Sequence, residues 1–362
     1  MIRVLIADDS ATTRRFLIKI LTEGNLIEVV GQASSGREAV DLAKELKPDV
    51  ITMDIVMPGL NGVDATAQIM ASNPTPIIIV SAMEDVRRST ISMDALNAGA
   101  LAILALPSLN SPDLNAIASH IRETVVNVVK VKSVRLEKGK PLVAKLLQKA
   151  PALKVKPNRA LRDILAGRSR LEIVCIAGSV GGPAALATIL SELPVDFPLP
   201  ILITQHISKG FTGDLARWLD NLSPIKVKVA EDGEPLKSST AFIAPDNYHL
   251  GVRGRGNILL SVAAPINGFR PAASFMYDSV ARVFKGQAVA VILTGMGSDG
   301  LSGLTIQKEV GGIIIAQDEA TSVVYGMPKA AVENGLTDLV LPLESIAAYL
   351  TTLTQQNGLE RK

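Results

Sequence analysis

The chain reads as an α/β protein of two doubly wound parallel-sheet domains, and three observations predict it. Strand-length apolar runs alternate with helix-length stretches in both halves, a long basic segment separates the halves, and the residues able to do chemistry fall just past the ends of apolar runs. In an open parallel sheet, those ends collect along one edge, where ligands bind.

Size and composition agree. With 362 residues, 48% hydrophobic and 20% charged, the chain can bury large cores and most naturally makes two domains. No apolar run approaches the roughly 18 residues needed to span a bilayer. The start, Met1-Ile2-Arg3-Val4-Leu5-Ile6-Ala7-Asp8-Asp9, runs straight into acids where a secretory signal would continue. A cytoplasmic protein without membrane insertion is expected. The single cysteine, Cys175, excludes an internal disulfide or a cysteine-rich zinc site and reads as a small buried hydrophobe. Residues 130–170 hold 13 Lys or Arg against two acids, a net +11, so the remainder of a chain of net +2 carries −9. Gly139, Pro141, Pro151, Pro157 and Gly167 break long helices there, while Leu142 to Leu147 is apolar enough for a short helical turn. We read residues 126–169 as a linker, either a solvated spacer or an attractor for acidic partners. No aromatic interleaving suggests base stacking, so no nucleic acid is expected.

In the first half the strand-like runs are Val4 to Ala7, Val29 to Gly31, Val50 to Met53, Ile77 to Val80 and Leu101 to Ala105. Asp8 and Asp9 follow the first run, and Asp54 follows the third. Clustered carboxylates repel one another, and a hard divalent ion such as Mg²⁺ resolves this through oxygen ligands. With charge so screened, one carboxylate can attack a phosphoryl group. Ser81, ending the fourth run, offers a hydroxyl to a phosphoryl oxygen. Each Asp taken alone also suits a helix cap.

With those residues in place, positions 1 to about 125 resemble the receiver domain of two-component response regulators. The resemblance implies a flavodoxin-like fold and a phosphoacceptor at Asp54. It also implies Mg²⁺ held by Asp8, Asp9 and the Val56 carbonyl, Ser81 as the switch hydroxyl, and a histidine kinase as phosphodonor. It breaks where receivers usually carry a Lys directly before the Pro after the fifth strand and an aromatic residue three positions earlier. Here Leu106 and Ile103 stand at those places. Leu106 cannot pair with a phosphoryl oxygen, so weakened or altered coupling between phosphorylation and output is expected.

In the second half, Ser179 follows Ile173 to Ala177 in the turn Gly178-Ser179-Val180-Gly181-Gly182-Pro183. His206 ends Ile201 to Gln205, and Asp299 follows Val291 to Leu293 in Leu293-Thr294-Gly295-Met296-Gly297-Ser298-Asp299-Gly300. Acyl transfer needs these three types together. A hydroxyl attacks only with a base beside it, imidazole supplies the base, and a carboxylate fixes its tautomer. Amides near Ser179 and in Met296-Gly297 are candidates for the oxyanion. Of the three histidines, His120 sits in a helical pattern and His249 competes with His206, which is preferred for ending a strand. Helix capping is the structural alternative for Ser179 and for Asp299.

Residues 170 to 350 resemble the methylesterase domain of the chemotaxis protein-glutamate methylesterases. The match covers Ala177 to Pro183, Gln205 to Thr212, Ala230 to Glu234, Leu293 to Gly300 and Gln317 to Pro328. The resemblance implies a Rossmann-like three-layer α/β/α domain, placed at 170–362. It also implies hydrolysis of glutamate 5-methyl esters, with glutamine deamidation, on methyl-accepting chemoreceptors. Ser179 would be the nucleophile, His206 the base and Asp299 the orienting acid, with no cofactor for the ester step and a receiver that gates access. Near residues 269–274 the family shows His, Arg, Pro, Ser, Val, Asp. Here Arg270 and Pro271 remain while Phe269, Ala272, Ala273 and Ser274 differ. Arg270 contacts an acidic receptor helix or pairs structurally, and a shifted receptor preference is expected. Two rival classes are a phosphate cradle at Gly178 to Pro183, which lacks both the G-x-G-x-x-G spacing and a P-loop Lys, and a non-catalytic regulator acting through partners.

Overall fold

Val4, Leu5 and Ile6 are completely buried, as expected of a strand covered on both faces of a parallel sheet. They belong to β1 (Ile2–Ala7), which pairs with β2 (Ile27–Ala33) on one side and β3 (Val50–Met53) on the other; β4 (Ile77–Ala82) and β5 (Ala102–Leu106) complete a parallel sheet of order β2-β1-β3-β4-β5. These are the five runs legible in the sequence. The helices α1 (Ala11–Thr22), α2 (Gly36–Leu46) and α3 (Gly62–Ser72) begin at Ser10, Ser35 and Asn61, whose side chains accept from the amides of Thr13, Glu38 and Asp64. Next come α4 (Ile91–Asn97) and α5 (Leu114–Val129). The order reverses between β1 and β3, placing Asp8, Asp9 and Asp54 at the switch point.

The computed structural model describes residues 1–82, 91–106, 114–129 and 170–356. Residues 130–169 of the basic segment, including its apolar Leu142 to Leu147, and Pro107 lie outside them. The chain divides into two compact units, Met1–Leu146 and Leu147–Lys362.

The second unit starts with β6 (Ile173–Gly178), α6 (Gly182–Ser191), β7 (Ile201–Gln205) and α7 (Thr212–Leu222). There follow β8 (Lys226–Val229), β9 (Thr240–Ile243) and the antiparallel hairpin β10 (His249–Arg253) with β11 (Asn257–Ser261). After α8 (Ala273–Phe284) come β12 (Ala288–Ile292), α9 (Leu301–Glu309), β13 (Ile313–Gln317), α10 (Met327–Glu333), β14 (Leu339–Leu341) and α11 (Leu343–Gln356). Seven parallel strands line up as β14-β13-β12-β6-β7-β9-β8. From β6 the chain runs outward through β7 to β8 and β9, then returns to β12 on the other side. The switch point therefore lies at β6 and β12, where Ser179 and the Asp299 loop emerge.

Helix α6 is buried from Gly182 to Leu190, packed against β6, α7 and α11. Leu186, Ile189 and Leu190 each contribute roughly 1.5–3 kcal/mol by leaving water, so the turn that carries Ser179 is bolted to the sheet through the helix behind it.

Candidate active site

The turn after β6 is held from three sides. The Ser179 amide donates to the Thr294 carbonyl (3.0 Å), and the Ser179 carbonyl accepts from the Gly182 amide (2.9 Å) and from Gln205 Nε2 (2.7 Å). Thr294 Oγ1 donates to the Val180 carbonyl and accepts from the Val324 amide, both at 2.9 Å. Two glycines are required here. Gly181 has φ +78, and a side chain there would meet Val323 Cβ at 2.6 Å; a Cβ on Gly295 would lie 2.8 Å from Ser179 Cβ. The Ser179 amide is thus engaged and is withdrawn from the oxyanion donors the sequence suggested near it. The Met296-Gly297 turn lies beyond Gly295, whose own amide donates to Val324.

Residue Gly178 pairs with Gln205 in register, so Ser179 and His206 leave the ends of adjacent strands, and the His206 amide donates to the Gly178 carbonyl (2.9 Å). Gln205 Nε2 also donates to the His206 carbonyl (2.9 Å), so one buried amide ties both segments together. His206 Nε2 lies 2.9 Å from Asp299 Oδ2, with side chains only 9% and 1% exposed.

Asp299 is the best-satisfied acid of the site. The Ala273 amide donates to Oδ2 (2.6 Å) and the Ser274 amide to Oδ1 (3.1 Å). These are the first amides of α8, whose cap residue, Ala272, has no side chain to accept them. Asp299 therefore caps a helix, as its structural reading held, and orients His206 as well. Burial raises its pKa, but His206, by hydrogen bond and charge, and the Ser274 and Ala273 groups outweigh burial and hold it below the ordinary carboxylate range. An ionised Asp299 can only accept, so neutral His206 carries its proton on Nε2 and leaves the lone pair on Nδ1. Nδ1 is buried and has no hydrogen-bond partner among the described residues, Ser179 included; in resting enzymes catalytic hydrogen bonds are often long.

His249 does not compete. It is fully buried, its Nδ1 accepts from the Ala272 amide (3.2 Å) and its Nε2 donates to the Ala264 carbonyl (3.1 Å). Arg270 Nη1 donates to the Val262 and Ala263 carbonyls at 3.0 and 3.1 Å. Three contributors escaped sequence reasoning. Gln205 and Thr294 carry no chemistry of their own, although a polar residue closing an apolar strand run is a usable signal. Phe269 stacks on His206 with centroids 4.2 Å apart and planes 3° apart.

At the edge of the first sheet, Asp8, Asp9 and Asp54 bring carboxylate oxygens within 4.8 Å of one another; Asp8 and Asp54 are buried and Asp9 is exposed. Burial raises Asp8 to about 7, with Asp54 and Asp9 adding and the Ser10 amide and Arg14 opposing. Carboxylates gathered this closely, two of them buried, raise one another's pKa, and such a set of oxygens fits a divalent cation. Ser81 Oγ donates to Asp54 Oδ1 (2.7 Å). Leu106 is buried in β5, in register with Ala82.

Comparison with known proteins follows the same division. The family model described as CheB methylesterase matches residues 174–350, and that described as response regulator receiver domain matches residues 4–117. The protein-glutamate methylesterase/protein-glutamine glutaminase 4 of Myxococcus xanthus is 45% identical over 358 residues, covering 99% of this chain and 98% of its own. That of Nitrosospira multiformis is 43% identical over 360 residues, with 99% and 98% covered. The crystal structure of the Thermotoga maritima CheB methylesterase catalytic domain, 44% identical, aligns over 51% of this chain and 98% of its own with a TM-score of 0.49.

Proposed function

The chain belongs to the protein-glutamate methylesterase/protein-glutamine glutaminase family, a receiver domain followed by a methylesterase domain, and from that premise we propose how its two sheet edges divide the work. The protein hydrolyses glutamate 5-methyl esters to glutamate and methanol and deamidates glutamines. Its substrates are methyl-accepting chemoreceptors. Ser179 Oγ attacks the ester carbonyl and His206 Nδ1 takes its proton, while Asp299 balances the imidazolium. Amides of the Met296-Gly297 turn meet the oxyanion. The intermediate collapses as the imidazolium protonates departing methoxide, leaving a glutamyl ester on Ser179. Water, deprotonated by His206, attacks that ester and regenerates the serine. Every role falls to a protein group, so none is assigned to a cofactor.

The observation that carries this reading is the bare, buried Nδ1 of His206, opposite an Nε2 fixed by Asp299 and on the strand next to Ser179. It also favours catalysis over a purely binding regulator. Methanol release from methylated chemoreceptor membranes should be abolished in Ser179→Ala; a fully active variant would sink the assignment.

In the receiver, Asp54 accepts a phosphoryl group from a chemotaxis-type histidine kinase in the cytoplasm. Asp8, Asp9, Asp54 and the Val56 carbonyl would hold Mg²⁺, which would screen carboxylate and phosphoryl charge. Ser81, now bonded to Asp54, is placed to re-pair with a phosphoryl oxygen. With Leu106 buried where a cation is usual, control of the esterase by phosphorylation is weakened. Acetyl phosphate labelling should succeed in the native chain and fail in Asp54→Ala, while activation stays modest; strong activation would refute weakened coupling.

A further inference from the structure

We propose that Phe269 is a positioning residue for the base, a flat platform that fixes the plane of the His206 ring; this rests on the reading of His206 as that base. Asp299 grips the ring at one point only, Nε2, and the opposite nitrogen has no partner to steady it. A ring held at one edge still rocks about that contact. The Phe269 ring removes this freedom, lying parallel at 4.2 Å and covering one imidazole face.

The platform is itself anchored. Asn267 and Gly268 have φ +50 and +86, the signature of a two-residue hairpin turn, and the turn is closed by paired Ile266 and Phe269 backbone hydrogen bonds of 2.9 and 3.0 Å. Arg270 fastens the next residue to the Val262 and Ala263 carbonyls, and Ala272 reaches His249. The next two residues, Ala273 and Ser274, grip Asp299 through their amides. One strap therefore sets the base by its face and the acid by its oxygens. The departure at position 269 thus bears on the catalytic imidazole, where sequence reading looked for receptor preference.

The experiment compares full-length Phe269→Leu, which keeps apolar bulk without a flat face, with Phe269→Tyr, which keeps the face. Methanol release should show Phe269→Leu losing roughly 3- to 10-fold in kcat, the range aromatic pair energies imply, with KM nearly unchanged, and Phe269→Tyr near the native rate. The imidazole proton resonances of His206, one of only three histidines and assignable by their loss in His206→Gln, should move downfield in the Leu variant as the ring-current shift disappears. They should stay in place in the Tyr variant. Native kcat in Phe269→Leu, or unchanged His206 resonances, overturns the proposal. Should His206→Gln remain fully active, the catalytic reading itself falls, and the resonances still report separately whether the rings stack.

Discussion

At the edge of the first sheet, Asp8 is raised to about 7 by burial and by Asp54 beside it, whereas at the edge of the second, Asp299 is equally buried yet held below the ordinary carboxylate range. Burial does not distinguish them; donors do. Asp8 receives one amide hydrogen bond, from Ser10, and faces two acids. Asp299 receives the two amides opening α8 and the His206 imidazole. One topology has produced an edge whose buried acids repel one another, and another whose buried acid is already held by donors.

The sharpest way to break this contrast is to neutralise the preorganised acid. Asp299→Asn should cut methanol release by roughly 10³- to 10⁴-fold, as when a triad loses the carboxylate that sets its tautomer. Acetyl phosphate labelling of Asp54 should be untouched. A loss below tenfold would show that the second edge does not depend on Asp299's charge. Gln205 comes next. Gln205→Leu removes both hydrogen bonds that join the Ser179 and His206 carbonyls, and a misplacement near 1 Å costs about 10²-fold, so a fall of roughly 10- to 100-fold in kcat is expected. Near-native kcat would mean that the strands alone hold the alignment.

The same contrast predicts opposite stability effects. Asp8→Asn relieves repulsion, so without Mg²⁺ it should raise the first domain's calorimetric transition by a few degrees, on the scale of about 4–8 °C per kcal/mol for a small domain, and abolish stabilisation by Mg²⁺. Asp299→Asn should lower the second domain's stability by about 1–3 kcal/mol, the cost of poorly satisfied buried groups, and its transition temperature with it. Trp218, the single tryptophan, lies in α7 and reports that domain alone by fluorescence. Because the folded pKa of Asp299 is depressed, its stabilisation is present above the unfolded value of about 3.9 and is lost as pH falls through the lower folded value. Fluorescence melts should therefore show an acid loss below pH of about 4 that is smaller in Asp299→Asn. Equal acid sensitivity would mean that other carboxylates dominate.

Much of this was legible because both sheets are parallel. Strands buried on both faces read as unbroken apolar runs, and Asp54, Ser179 and His206 stand out where those runs end. What stayed hidden depends on contacts distant in sequence. Asp299 caps α8 from 26 residues away because Ala272 cannot, and nothing local to either segment announces it. The outward detour through β8 and β9 and the β10–β11 hairpin follow from sheet order, which local patterning does not encode. Arg270 donates to the carbonyls of Val262 and Ala263, eight and seven residues back, a pairing that local pattern does not show.

The smallest expected effect concerns the edge of the first sheet. Leu106 closes β5 beside Ala82, one residue beyond the pair Ser81 and Ala105, so its position lies at the end of the strand that carries the Ser81 hydroxyl. An ammonium there would attract a phosphoryl oxygen on Asp54, and charge-assisted pairs of this kind are roughly twice as strong as neutral hydrogen bonds. Leu106 is buried, so a lysine there must snorkel, keeping its stem among apolar side chains and carrying its charge out past the end of β5. Leu106→Lys should therefore raise the ratio of methanol release with acetyl phosphate to that without by roughly 2- to 5-fold, the worth of a pair of about 0.5–1 kcal/mol at a partly solvated edge. Asp54→Ala in the same background should return the ratio to one. An unchanged ratio with normal labelling of Asp54 would place the weak link outside the phosphoryl site, and the contrast between the two edges would then lie in how each is read out.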